Sequence, residues 1–74
     1  MAKLPTDLSG QRLGKALERA GFICTRQRGS HMVFRRDKPF ARVVVPHHKR
    51  VRPGTLRQIL NQAGLTVEEL IELL

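Results

Sequence analysis

The chain has 74 residues, with 14 basic and 6 acidic side chains, a net charge of +8 and one cysteine. That length excludes a dinucleotide fold or a multi-domain enzyme, and one domain over residues 1–74 is expected. The lone Cys24 excludes an internal disulfide and a four-cysteine zinc site, and fits a reducing compartment.

Met1–Leu8 reads as a short lead-in, with Ser9 as the helix N-cap. Leu13, Ala16, Leu17 and Ala20 follow at i, i+3, i+4 and i+7, an apolar stripe that predicts a helix over 10–20, stopped by Gly21. Residues 22–28 are rich in β-formers, and Cys24 is expected to be a small buried apolar residue there. Residues 30–36 alternate, with Met32 and Phe34 facing one way and His31, Val33 and Arg35 the other. A turn at Asp37-Lys38-Pro39 leads to a third strand over 40–45, stopped by Pro46. Pro53 suits the first turn of a second helix, whose stripe is Leu56, Ile59, Leu60 and Ala63, ended by Gly64. Thr66-Val67-Glu68-Glu69 is a capping box for a short last helix, with Leu70, Ile71, Leu73 and Leu74 as its apolar side.

Short turns imply antiparallel hairpins, so the order α-β-β-β-α(-α) predicts an α+β fold. It is a two-layer sandwich with a three-stranded antiparallel sheet and the helices on one face. Met32, Phe34, Val43 and Val45 are expected under the helices. His31, Val33, Arg35 and Arg42 are expected on the free face.

The charge is concentrated in the middle of the chain. Residues 26–57 hold ten basic side chains against Asp37 alone, a net of +9, whereas residues 58–74 carry −3. Ten of the fourteen basic residues are arginine, which suits bidentate phosphate contacts. A polyanion is the expected partner. No Trp or Tyr is present to anchor a membrane surface, and no run approaches the ~18 apolar residues of a bilayer span. Met1–Pro5 offers no signal-peptide core, so a soluble cytoplasmic protein without a membrane partner is expected.

His31, His47 and His48 are the side chains suited to proton transfer near neutral pH. His31 follows Gly29-Ser30 and lies among Arg26, Arg28, Arg35 and Arg36. A general base beside guanidinium groups has the parts to break an RNA phosphodiester: the base takes the 2′-OH proton and the arginines bind the phosphate. The sugar supplies the nucleophile, DNA is excluded, and neither a metal nor another cofactor is expected. Gly29 either lets substrate approach closely or simply makes the hairpin turn. Ser30 either binds phosphate or enters the strand as an ordinary residue. The adjacent His47 and His48 lack the partners of a metal site, and their roles stay open.

Taken in order, Gly21-Phe22, Gly29-Ser30-His31 with Phe34, Val45-Pro46-His47-His48, Pro53-Gly54-Thr55-Leu56-Arg57-Gln58-Ile59-Leu60 and Ala63-Gly64-Leu65 resemble the HicA (YcfA-like) toxin family. The resemblance implies a fold like a double-stranded RNA-binding domain. It implies an endoribonuclease toxin that cuts mRNA and is neutralised by a HicB-type antitoxin in a hetero-oligomer. The family's catalytic histidine falls on His31. Arg26, Arg28, Gly29, Ser30, Arg35, Arg42, His47 and Lys49 are the expected RNA contacts.

Two other readings accompany the nuclease. In the first, the basic patch serves a non-catalytic RNA-binding module of the same fold, and His31 is incidental. The basic residues of the first helix, Arg12, Lys15 and Arg19, are few, and the charge gathers instead on the strands and the following loop. That distribution favours single-stranded RNA on the sheet side. In the second, the patch docks an acidic protein, which is compatible with the nuclease.

Overall fold

A computed structural model describes residues 2–74. The elements are α1 (Gly10–Arg19), β1 (Ile23–Arg28), β2 (His31–Asp37), β3 (Phe40–Pro46), α2 (Pro53–Ala63) and α3 (Val67–Leu73). The strands form one antiparallel sheet in the order β1-β2-β3, so the fold is α+β as expected. No helix among the described residues is long and apolar enough to cross a membrane.

α1 begins where Ser9 accepts the Arg12 N–H on its hydroxyl at 3.1 Å. It ends at Gly21, whose φ of +95° lets the chain reverse. There the Gly21 N–H donates to Glu18 and the Phe22 N–H to Leu17. Phe22 is thereby drawn into the core as a helix-end plug, and the first strand starts one residue later than expected. α2 starts on Pro53 and stops at Gly64. α3 carries the full reciprocal box between Thr66 and Glu69.

The helices cover one face of the sheet. Met32 and Phe34 of β2 and Ala41, Val43 and Val45 of β3 pack beneath Leu13, Ala16 and Leu17 of α1 and Leu56, Ile59, Leu60 and Ala63 of α2. Cutting one such side chain, as in Leu17→Ala, costs about 2–5 kcal/mol, a large part of what a domain of this size has. In α3 only Leu70 is fully buried and Leu73 half-buried, while Ile71 and Leu74 face outward. One short helix at the rim has room to bury one edge only.

β1 departs from expectation more sharply, because all six of its residues are exposed. It is an edge strand, and α1 runs alongside it without burying any of its residues. Cys24 shares the helix-side face with its partner Phe34, but there it lines an open groove beside Gly14 and Glu18 of α1 and is exposed. A register shift between Cys24 and Arg26 bends this strand further.

Two of the basic residues in the middle of the chain hold the fold together. Arg36 donates to the carbonyls of Pro39 and Ala63 and stacks on Phe22 at 4.6 Å. Arg50 donates to the Thr6 carbonyl at 2.6 Å.

Candidate active site on the open sheet face

Strand alternation and register decide what reaches the uncovered face. His31, Val33, Arg35 and Asp37 of β2 pair with Pro46, Val44, Arg42 and Phe40 of β3. Arg28 and Arg26 of β1 lie opposite His31 and Val33. Residues directly opposite one another share a face, so all of these crowd the side without helices. The expected placement of His31, Val33, Arg35 and Arg42 there is observed.

His31 opens β2 and is exposed. The turn before it is the two-residue loop Gly29-Ser30, and Gly29 has a φ of +58°. Glycine is favoured at such a position, and open space surrounds it. The Ser30 carbonyl accepts the His47 N–H at 2.5 Å, which extends the β2–β3 ladder one step past the His31–Pro46 pair.

That extension brings the 46–55 segment against His31. A cavity of about 410 Å³ is lined by His31, Val44, Pro46, His48, Arg52 and Thr55. Arg52 is the N-cap of α2 and provides no side-chain acceptor. With Pro53 lacking an N–H, the first-turn amides of Gly54 and Thr55 have no partner within the helix. They carry the positive end of the helix dipole, which favours an anion. Arg52 and Thr55 line the cavity without being among the residues expected from sequence spacing. The available signal was an uncapped helix start, Arg52-Pro53-Gly54-Thr55, soon after the end of a strand.

The structure brings some of the expected residues together and leaves others apart. Arg28 flanks His31 across the strand pair. Arg35 and Arg42 face each other four residues further along, ~13 Å away at ~3.3 Å per residue. Arg35 there donates to the Asp37 carboxylate at 2.9 Å and lies over the Phe40 ring at 5.6 Å. Arg26 and Lys49 are exposed. His47 does not line the cavity, because its Nδ1 lies 3.4 Å from the amide nitrogen of Gln27, on the helix-side face of β1. His48 is the one that joins His31.

Among the described residues the ion pairs are Lys15–Glu18 and Arg35–Asp37. No carboxylate among them therefore pairs with His31, His48, Arg28 or Arg52. No three His, Cys, Asp or Glu side chains among the described residues come together as a metal site. The arrangement suits binding of a phosphate and proton transfer to or from its oxygens.

Comparison with known families gives a match to the HicA toxin of bacterial toxin-antitoxin systems over residues 10–65. No curated protein matches the chain.

Proposed function

The chain belongs to the HicA toxin family of toxin-antitoxin systems, and on that premise we propose that it is an endoribonuclease that cuts single-stranded mRNA in the cytoplasm, with His31 transferring protons at the scissile phosphate. The observation that carries this reading is the position of His31. It stands exposed at the entry of β2, in a cavity with Arg52 and the uncapped start of α2, and no carboxylate among the described residues pairs with it.

In the cleavage step the ribose 2′ oxygen attacks phosphorus. The 2′-O–P bond forms as the P–O5′ bond breaks. His31 acts either as the base that takes the 2′-OH proton or as the acid that protonates the 5′ oxygen. The products are a 2′,3′-cyclic phosphate and a free 5′-OH. Arg28 and Arg52 bind the phosphate oxygens and offset the charge that builds on them. Arg26, Arg35, Arg42 and Lys49, with the backbone at Gly29 and Ser30, guide the flanking strand over the open face. Because the 2′-OH is the nucleophile, the reaction runs on RNA and not on DNA. Proton transfer of this kind contributes ~10²–10⁴-fold, so the enzyme is slow. A HicB-type antitoxin silences it in a hetero-oligomer by laying acidic side chains over the same arginines. The exposed Ile23, Val44 and Phe40 of that face add apolar contact area for it.

The test is incubation with single-stranded RNA in the presence of a chelator. The wild-type chain should cut, and His31→Ala should bind the RNA without cutting it. Absence of cutting at excess wild-type protein would favour a binding module. Undiminished cutting by His31→Ala would reject the assignment of His31.

A further inference from the structure

We infer that His48 is the second proton-transfer group of this cavity, acting opposite His31; the inference rests on the ribonuclease reading above. Transphosphorylation moves two protons at two oxygens. One leaves the 2′-OH as the 2′-O–P bond forms, and one must reach the 5′ oxygen as the P–O5′ bond breaks. A single imidazole facing the phosphate serves one of these oxygens and leaves the other without a partner. Of the six residues lining the cavity, Val44 and Pro46 carry no proton to exchange. A guanidinium group holds its proton too tightly to exchange it and an aliphatic hydroxyl is a weak acid, so Arg52 and Thr55 do not fill this role. His48 is the remaining lining side chain, and imidazole is the side-chain group best suited to give and take a proton in catalysis.

The backbone that carries His48 is also held in place. The His48 carbonyl accepts the Gly10 N–H at 2.9 Å. On either side of it, the His47 N–H donates to Ser30 at 2.5 Å and the Val51 N–H to Leu8 at 2.7 Å. These bonds tie the loop to the sheet end and to the segment before α1. The two adjacent histidines are thereby separated: His47 reaches Gln27, and His48 lines the cavity with His31. No carboxylate among the described residues pairs with either ring. In the proposed step one imidazole acts as the base at the 2′-OH and the other, as imidazolium beside the substrate phosphate, as the acid at the 5′ oxygen.

The experiment compares wild type, His31→Ala, His48→Ala and His48→Gln on two single-stranded RNA substrates. One is ordinary RNA. The other carries sulfur in place of the 5′ bridging oxygen, a leaving group that needs no proton. Affinity is measured separately with a 2′-deoxy strand that cannot be cut. His48→Ala and His48→Gln should lose about 100-fold or more in cleavage of ordinary RNA, with affinity for the uncut strand within a few-fold of wild type. The sulfur substrate should restore cleavage to one histidine's variants and not to the other's, which identifies the acid. Wild-type rates in both His48 variants would overturn the inference and leave His31 catalysis standing. Restoration of both histidines' variants, of neither, or a loss of cleavage matched by a loss of affinity would overturn it as well. A wild-type chain that cuts neither substrate would instead sink the ribonuclease reading itself.

Discussion

The backbone N–H of Gly10, the first residue of α1, donates to the carbonyl of His48 at 2.9 Å. This bond requires the helix start to press against the end of β3. A Cβ on Gly10 would lie 2.0 Å from the Pro46 carbonyl oxygen and 3.2 Å from the His47 Cα. Both are main-chain atoms that cannot swing aside. Gly10→Ala should therefore destabilise the fold by about 1–3 kcal/mol, the usual range for overpacking. Urea unfolding measures that loss. RNA cleavage, assayed where the variant is still folded, should fall as well, because the clash displaces the loop that carries His48.

The arginines divide by what they touch. Arg28 and Arg42 are exposed on the open face, with no carboxylate partner among the described residues. Alanine at either position should reduce the slope of log affinity for single-stranded RNA against log salt by about 0.7 for each phosphate that the arginine neutralises. Arg36 instead donates to Pro39 and Ala63 and covers Phe22. Arg36→Ala should leave the slope unchanged and lower stability by about 1–3 kcal/mol. Salt titrations and denaturation curves separate the two roles.

Phe40 is 65% exposed at the far end of the open face, beside Arg35. An exposed ring on a basic sheet is a platform for an unpaired base, worth about 1–3 kcal/mol. Phe40→Ala should weaken binding of strands long enough to reach from His31 to that end. It should not affect strands of two or three nucleotides placed at the cavity. Fluorescence anisotropy with a length series measures the difference.

Glu69 is held below the usual carboxylate range by the Thr66 backbone N–H and then by the Thr66 side chain. A lowered folded value means that its contribution to stability is complete above the unfolded glutamate value of about 4.3 and fades as pH falls through the lower folded value. The stability gap between wild type and Glu69→Gln should therefore close on acidification. Thermal unfolding across that range measures it, and a gap independent of pH would exclude the ionised box.

Cys24 is exposed on the edge strand, with its thiol 3.6 Å from the Arg26 carbonyl. A thiol reagent should label it in the folded protein at a rate close to that in denaturant. A thiol protected until unfolding would contradict the placement of β1.

Much of the open face was readable along the chain, since local periodicity determines which side a strand residue takes. Met32 and Phe34 alternate with His31, Val33 and Arg35, and Val43 and Val45 alternate with Arg42. Once two helical stripes need a face, the apolar set goes under them and His31 is left with the arginines. The stops at Gly21 and Gly64 and the box at Thr66–Glu69 are equally local, and they appear as expected.

What spacing could not supply were contacts between distant segments. Cys24 looked like a core residue because its strand resembles the others. Its exposure depends on how far α1 and α2 reach across the sheet, a matter of layer width. His47 and His48 are equivalent as neighbours in sequence. The His31–Pro46 register and the Gly10 bond tell them apart, and both depend on residues far off along the chain. The amino-acid pattern alone determined an arginine-rich ribbon with His31 on its outer side, because alternation is a property of consecutive residues. Only the folded chain decided that His48 and Arg52 stand beside it, because strand pairing and the docking of α1 set where each loop ends.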